Sequence, residues 1–265
     1  MTSITEKIIV VTGAGQGIGQ GVARRFAREG CTVIVADINE KAGQETADSL
    51  QSLGGKGIYL PYDLFDQHGG DELIAETIDL YGQVDVLVNN AYPTGMTRAG
   101  PMENKSIEVY QKIMQAGFLA IVNIMNAALP HMKAKQNGRI INMCSLNGVN
   151  AHKYTAEYNS AKEALRAYSR TAAVEWMCHG ITTNVICPGA MSEASKRFME
   201  KEPEMMAELI SQNPAGRMGD PEHDIGGAVL LLASDDAAYI NGNTVFVDGG
   251  SHINGVNWSP GGSAK

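Results

Sequence analysis

The sequence predicts a doubly wound α/β domain with a parallel sheet. Three observations carry this. Short β-branched runs alternate with helix-patterned stretches from end to end, the first run opens straight into a glycine-rich turn, and polar residues recur at the ends of the runs.

Lys7–Val11 is an apolar, β-branched run and reads as a buried strand. It passes into Thr12-Gly13-Ala14-Gly15-Gln16-Gly17-Ile18-Gly19, where a helix begins. That helix carries Ile18, Val22, Phe26 and Ala27 on one face and Arg24, Arg25 and Arg28 on the other, and Gly30 closes it. A second strand, Thr32–Ala36, ends at Asp37. Glycines at this turn let the backbone approach a pyrophosphate, and the helix N-terminus offers N–H groups and a positive dipole. Glycines alone would suit an ordinary tight turn; the flanking strand, helix and acid favour dinucleotide binding. Asp37 stands where an acid would hold a ribose 2′-OH. Its carboxylate repels a 2′-phosphate, and neither Gln16 nor Ile38 supplies a cation to hold one, so the reading is NAD rather than NADP.

The pattern then repeats. Asn39–Leu53 is a polar helix with Asn39 as N-cap, and Gly57–Pro61 a strand ending at Tyr62-Asp63-Leu64. Asp66–Tyr81 is helical, Val84–Val88 is a strand ending at Asn89-Asn90-Ala91, and Tyr92–Asn104 is irregular. A long helix runs from Ser106 to about Met132, with Pro130 expected to break it near its end. Strand Gly138–Cys144 presents Ser145, and helix Glu157–His179 follows a loop over Leu146–Ala156. Strand Ile181–Cys187 leads to Pro188-Gly189, Met191–Gln212 reads as a lid with helical pieces, and Pro221–Ala233 is a helix with Pro in its first turn. Thr244–Val247 is the last strand, before Asp248-Gly249-Gly250. No linker or repeat interrupts the series. The expectation is one domain over residues 1–250, a substrate lid at about 190–214 and a tail at 251–265. In such sheets ligands bind at the carboxyl ends of the strands, where Asp37, Asp63, Asn90, Ser145 and Pro188-Gly189 all fall.

Composition narrows the function. A chain of 265 residues buries roughly 70–75% of its unfolded surface without a covalent staple. With 29 acidic residues against 21 basic, a net charge of −8, neither nucleic acid nor an anionic membrane is expected as the main partner. Cys31, Cys144, Cys178 and Cys187 form no C-x-x-C pair, which fits reduced thiols in the cytoplasm. The polar N-terminus and the short run Ile8–Val11 do not read as a secretory signal or a membrane span. The six histidines are scattered, no metal is expected, and no G-x-S-x-G elbow supports a hydrolase.

The chemistry points to Tyr158 and Lys162, four residues apart on one helical face. An ammonium near a phenol favours the phenolate, and such a phenol can exchange a proton with an alcohol oxygen. Alone the pair is an ordinary coincidence of surface residues. Ser145, a strand end 13 residues earlier, offers a hydroxyl to hold a substrate oxygen, although a lone Ser there is as readily a cap.

Thr12-Gly13-x-x-x-Gly17-x-Gly19, Asp63-Leu64, Asn89-Asn90-Ala91, Ser145, Tyr158-x-x-x-Lys162, Pro188-Gly189 and Val247-Asp248-Gly249-Gly250 together resemble the short-chain dehydrogenase/reductase family over essentially the whole chain. The resemblance implies a Rossmann-type sheet of about seven parallel strands, Tyr158 as catalytic acid/base, Ser145 as binder of the substrate oxygen, and Lys162 as the group that lowers the Tyr158 pKa and binds the nicotinamide ribose. It implies an NAD site built from Gly13, Gln16, Gly17, Ile18, Gly19, Asp37 and Ile38, with Asp63 and Leu64 by the adenine, Asn90 and Ala91 by its ribose, and Pro188, Gly189 and Met191 beyond Tyr158 and Lys162. It also implies a homotetramer or dimer.

Three positions depart from the family pattern. Gly117 stands where the long helix usually carries an Asn that links the Lys to solvent; Gln115 or a rearranged water would substitute, or the relay would be weaker. Tyr92 replaces the Gly of Asn-Asn-Ala-Gly, and Glu193 replaces a Thr, with Ser192 or Ser195 as substitutes. Tyr92, Asn147, His152 and Tyr154 are expected to line the substrate pocket, and Met191, Met199, Met205, Met206 and Phe198 suit an apolar lid. The expected reaction is NAD-dependent oxidation of a hydrophobic or cyclic secondary alcohol, or the reverse. An NAD(H)-binding sensor with little turnover, and an acyl-thioester or sugar reductase, are the alternatives. Trp258 in the tail is expected to reach a neighbouring subunit.

Overall fold

In the computed structural model, residues 4–93, 95–97, 99–190, 200 and 203–253 are described. Seven strands are β1 (Ile8–Thr12), β2 (Thr32–Asp37), β3 (Lys56–Pro61), β4 (Val86–Asn89), β5 (Gly138–Met143), β6 (Ile181–Pro188) and β7 (Thr244–Val247). They form one sheet in the order β3-β2-β1-β4-β5-β6-β7, with every pairing parallel. The strand order reverses between β1 and β4, which opens a crevice at their carboxyl ends.

The helices are α1 (Gly17–Arg28), α2 (Glu40–Leu50), α3 (Gly69–Tyr81), α4 (Ile107–Lys135), α5 (Leu146–Val149), α6 (Ala156–Trp176), α7 (Pro203–Gln212) and α8 (Gly226–Ala233). Alternate strand residues point to opposite faces, so each strand feeds two cores. Ile8, Val10 and Ile34 pack with Leu73 of α3, Ile124 of α4 and Leu165 of α6. Ile9, Val11 and Val33 pack with Phe26 of α1, Leu50 of α2 and Val229 of α8. By length and composition α4 would pass for a membrane span, yet its inner face is part of this core. Gly70 lets α3 close on it, since a Cβ there would lie 2.9 Å from the Ile124 Cα.

Several boundaries differ from the sequence reading for local reasons. Asn39 does cap α2, accepting from the Ala42 N–H at 3.1 Å. α3 starts at Gly69 rather than Asp66, because the Asp63 and Asp66 carboxylates take the N–H groups of Phe65 and His68 and form turns. Pro130 does not break α4, which runs on to Lys135. Pro130 and Asn126, whose carbonyl the ring leaves without a donor, both lie on the exposed side of the helix. The same helix contains a π turn at Gln115–Leu119, and a second π turn at Pro221–Ile225, capped by the Asp220 carboxylate, opens α8. The loop after Ser145 includes the single turn α5, because the Ser145 hydroxyl accepts the Asn147 N–H. The arginine face of α1 is not simply solvated: Glu222 bridges Arg24, at 2.8 Å, and Arg28.

Candidate active site

A cleft of about 780 Å³ opens across the carboxyl ends of the central strands. Its floor begins at the glycine-rich loop. Gly13 has φ +64, and a Cβ on it would lie 2.8 Å from the Ala91 Cα, so only glycine admits this approach of β1 to the end of β4. The Asn90 amide donates to the carbonyls of Thr12 (2.9 Å) and Gly13 (3.1 Å), and the Thr12 hydroxyl accepts from the Asn90 and Ala91 N–H groups, both at 3.0 Å. Asn90 therefore holds the loop in place while also forming part of the wall. Asp37 accepts the N–H of Gly15 at 2.8 Å and that of Asn39 at 2.9 Å. The N-terminus of α1 opens toward the same space through Gln16, Gly17 and Ile18. A glycine cradle, a helix N-terminus and a carboxylate fit a nucleotide cofactor there.

On the other side of the cleft, β5 ends at Ser145 and α6 carries Tyr158 and Lys162 one turn apart. Burial pushes the Tyr158 phenol up to about 12, and its interaction with the Ser145 hydroxyl works the other way. Lys162 lies one turn along the same helix. Its ammonium is buried and donates to the Met143 carbonyl at 2.8 Å, and it sits 5.8 Å from the Tyr158 ring centroid. Burial lowers the Lys162 pKa. Burial raises the nearby Cys144 thiol to about 12 and the Cys187 thiol to about 11, so both stay protonated.

Tyr92 closes the constellation. Its ring meets Tyr158 edge to face, with centroids 5.0 Å apart and planes at 89°, and Lys162 Nζ lies 5.1 Å from its centroid. Its hydroxyl shares a hydrogen bond with Thr97 at 2.7 Å.

Of the other residues singled out in the sequence, Gly13, Ile38, Asp63, Leu64, Ala91, Asn147, Pro188 and Gly189 line the cleft. Gly19 is off the wall: it is buried, and a Cβ on it would lie 2.2 Å from the Gly13 carbonyl oxygen, so it serves packing behind the loop. His152 and Tyr154 are also off the wall. The His152 N–H and carbonyl pair with the Asn147 carbonyl and the Asn159 amide, which folds the segment outward; Tyr154 has φ +69 and is 55% exposed. Met191, the substitutes Ser192 and Ser195, Glu193, Phe198, Met199 and Trp258 lie outside the described residues, as do the side chains of Met205 and Met206. Thr97, Thr155 and Met218 line the cleft without having been singled out. They sit in irregular segments, where no periodicity marks an inward position.

Residues 13–252 match the family model described as enoyl-(acyl carrier protein) reductase. A 2,5-dichloro-2,5-cyclohexadiene-1,4-diol dehydrogenase of Sphingobium indicum is 34% identical over 244 residues, covering 92% of this chain and 95% of its own. A 3-oxoacyl-(acyl-carrier-protein) reductase of Haemophilus influenzae is 35% identical over 247 residues, covering 93% and 98%. The crystal structure of a candidate NAD(P)-dependent gluconate 5-dehydrogenase of Beutenbergia cavernae, with NADP bound at low occupancy, superposes with a TM-score of 0.86 at 32% identity, covering 95% of this chain and 99% of that one.

Proposed function

Because the chain belongs to the short-chain dehydrogenase/reductase family, we propose that it transfers a hydride between NAD(H) and a hydrophobic, cyclic secondary alcohol or ketone. The observation that carries this reading is the convergence of Ser145, Tyr158 and Lys162 on the wall of the cleft that the glycine-rich loop begins.

When bound, the cofactor supplies the hydride acceptor or donor. The chain's own residues manage the rest. The Ser145 hydroxyl holds the substrate oxygen, and the Tyr158 phenol takes the alcohol proton during oxidation or returns it during reduction. Lys162, one turn along α6, places a positive charge beside that exchange and offers donors to the cofactor's ribose. Asp37 supports NAD over NADP: its carboxylate lines the cleft, and Lys162 is the only Lys or Arg among the described residues of the wall. The apolar share of the wall, including Tyr92, Pro93 and Met218, and the cyclic diol of the Sphingobium relative's name support a cyclic substrate.

The sensor alternative drew on Gly117 alone, and the Tyr92 ring lies at contact distance from where a side chain at that position would begin. A cytoplasmic location and a homo-oligomer are part of the same reading; exposed Leu119 of α4 and Val174 of α6 support the second. The test is NADH formation over a panel of alicyclic, steroidal, aliphatic and sugar alcohols. Turnover abolished by Tyr158→Phe supports the reading; cofactor binding with no turnover across the panel rejects it.

A further inference from the structure

The two departures from the family pattern that looked independent in the sequence are in contact. Tyr92 follows β4, Gly117 lies in the π turn of α4, and a Cβ on Gly117 would come within 3.4 Å of the Tyr92 Cε2 and 3.1 Å of the Ala161 Cβ. An Asn at position 117 needs three more heavy atoms beyond that Cβ, in space already held by the Tyr92 ring and α6. The tightest approach is to Ala161 of α6 and the ring stands at contact distance, so an amide from position 117 would have to share this space with the Tyr92 ring. Helical π turns are frequent at functional sites because they redirect side chains. This one brings a residue without a side chain to the place where the ring needs room.

The ring is fixed from three sides. Its hydroxyl is tied to Thr97, its plane stands at 89° to Tyr158, and Gly117 lies beneath it. It presents π surface to the buried Lys162 ammonium, 5.1 Å from its centroid. The groups facing that ammonium are the Met143 carbonyl on β5, the Cys144 and Cys187 thiols, and the two tyrosine rings. Among the described residues, no carboxylate pairs with it. A buried cation needs partners, and here an aromatic ring and a backbone carbonyl take that role.

We propose that Tyr92 is a positioning residue that holds the Lys162 ammonium and the Tyr158 ring in register for proton transfer, in the space that Gly117 leaves open. The proposal rests on the dehydrogenase reading above. It replaces a hydrogen-bonded amide on the long helix with an aromatic platform from the end of β4.

The test is a substitution cycle with two readouts. Tyr92→Phe keeps the ring and retains most of kcat. Tyr92→Leu keeps apolar bulk but loses the π surface; kcat falls tenfold or more and the alkaline limb of its pH profile moves. Independently of turnover, Gly117→Asn lowers Tm in the parent but less in a Tyr92→Gly background, because the ring no longer occupies the space. Parent-like kcat and pH profile in Tyr92→Leu, or equal Tm losses for Gly117→Asn in both backgrounds, overturn the proposal and leave the dehydrogenase reading standing if the parent turns over and Tyr158→Phe does not. A parent protein with no turnover on any alcohol overturns both.

Discussion

The Asp37 carboxylate accepts the Gly15 N–H at 2.8 Å, so the acid that ends β2 also holds the glycine-rich loop. Selection of the cofactor and the shape of its cradle thus share one side chain. Asp37→Ala is expected to narrow the NAD:NADP ratio of kcat/KM and also to lower stability by about 1.5–3 kcal/mol, the range for a hydrogen bond to a charged group. Asp37→Asn keeps an acceptor and should retain most of the stability while losing discrimination. Steady-state kinetics with both cofactors and thermal melts check this; equal discrimination in parent and Asp37→Ala would refute it.

Replacing Tyr158 by Phe removes the hydroxyl assigned to the proton exchange in the proposed reaction. Turnover should fall by roughly 10²–10⁴-fold, the range for losing a general acid–base group. Cofactor affinity measured by titration should change little.

The pH profile follows from the same phenol. Burial raises Tyr158 to about 12 and its interaction with the Ser145 hydroxyl pulls it down. Oxidation needs the phenolate, so its kcat should rise with pH up to the phenol's pKa; reduction needs the phenol and should fall above it. Ser145→Ala removes the lowering influence, and the alkaline limb should move to higher pH. A limb that moves to lower pH in that variant contradicts the assignment.

Gly19 has no room for a side chain, since a Cβ would lie 2.2 Å from the Gly13 carbonyl oxygen and 2.5 Å from the Asn90 amide nitrogen. Gly19→Ala should cost about 1–3 kcal/mol of stability, as overpacking does, and weaken cofactor binding by pushing the loop off Asn90. Calorimetry and a cofactor titration measure the two effects; an unchanged Tm would show that the loop relaxes freely.

Glu222 links the π turn before α8 to Arg24 and Arg28 of α1. Burial raises its carboxyl, but the two guanidiniums lower it more, and the net shift is downward. A depressed folded pKa gives stability that is present above the unfolded carboxyl pKa and is lost as pH falls through the folded one. Glu222→Gln should therefore melt below the parent at pH 7, by about 1 kcal/mol given the exposed arginines. The two melting curves should converge under acid conditions.

Much of the nucleotide side was legible in the order of the residues. Strand periodicity, the glycine spacing and the acid after β2 are local signals, and the rule that ligands gather at the carboxyl ends of parallel strands turns them into one site. All seven strands lie where the β-branched runs predicted, within a few residues at their ends. Loop residues were less legible. The sequence places His152 and Tyr154 in a loop expected to line the substrate pocket, but the Asn147–His152 backbone bond and a left-handed Tyr154 turn that segment outward.

By itself, then, the sequence determined the fold class, the family, and the set of groups available for chemistry, because these depend on spacing within single strands, turns and helices. The tertiary structure alone decided what those groups touch. Lys162 donates to the Met143 carbonyl and lies near the rings of both Tyr92 and Tyr158, and Gly117 sits beside the Tyr92 ring. Residues 92 and 117 belong to different elements, and their contact depends on a π turn and on how closely α4 and α6 approach. Packing of that kind is set by the whole core at once, so no local pattern encodes it.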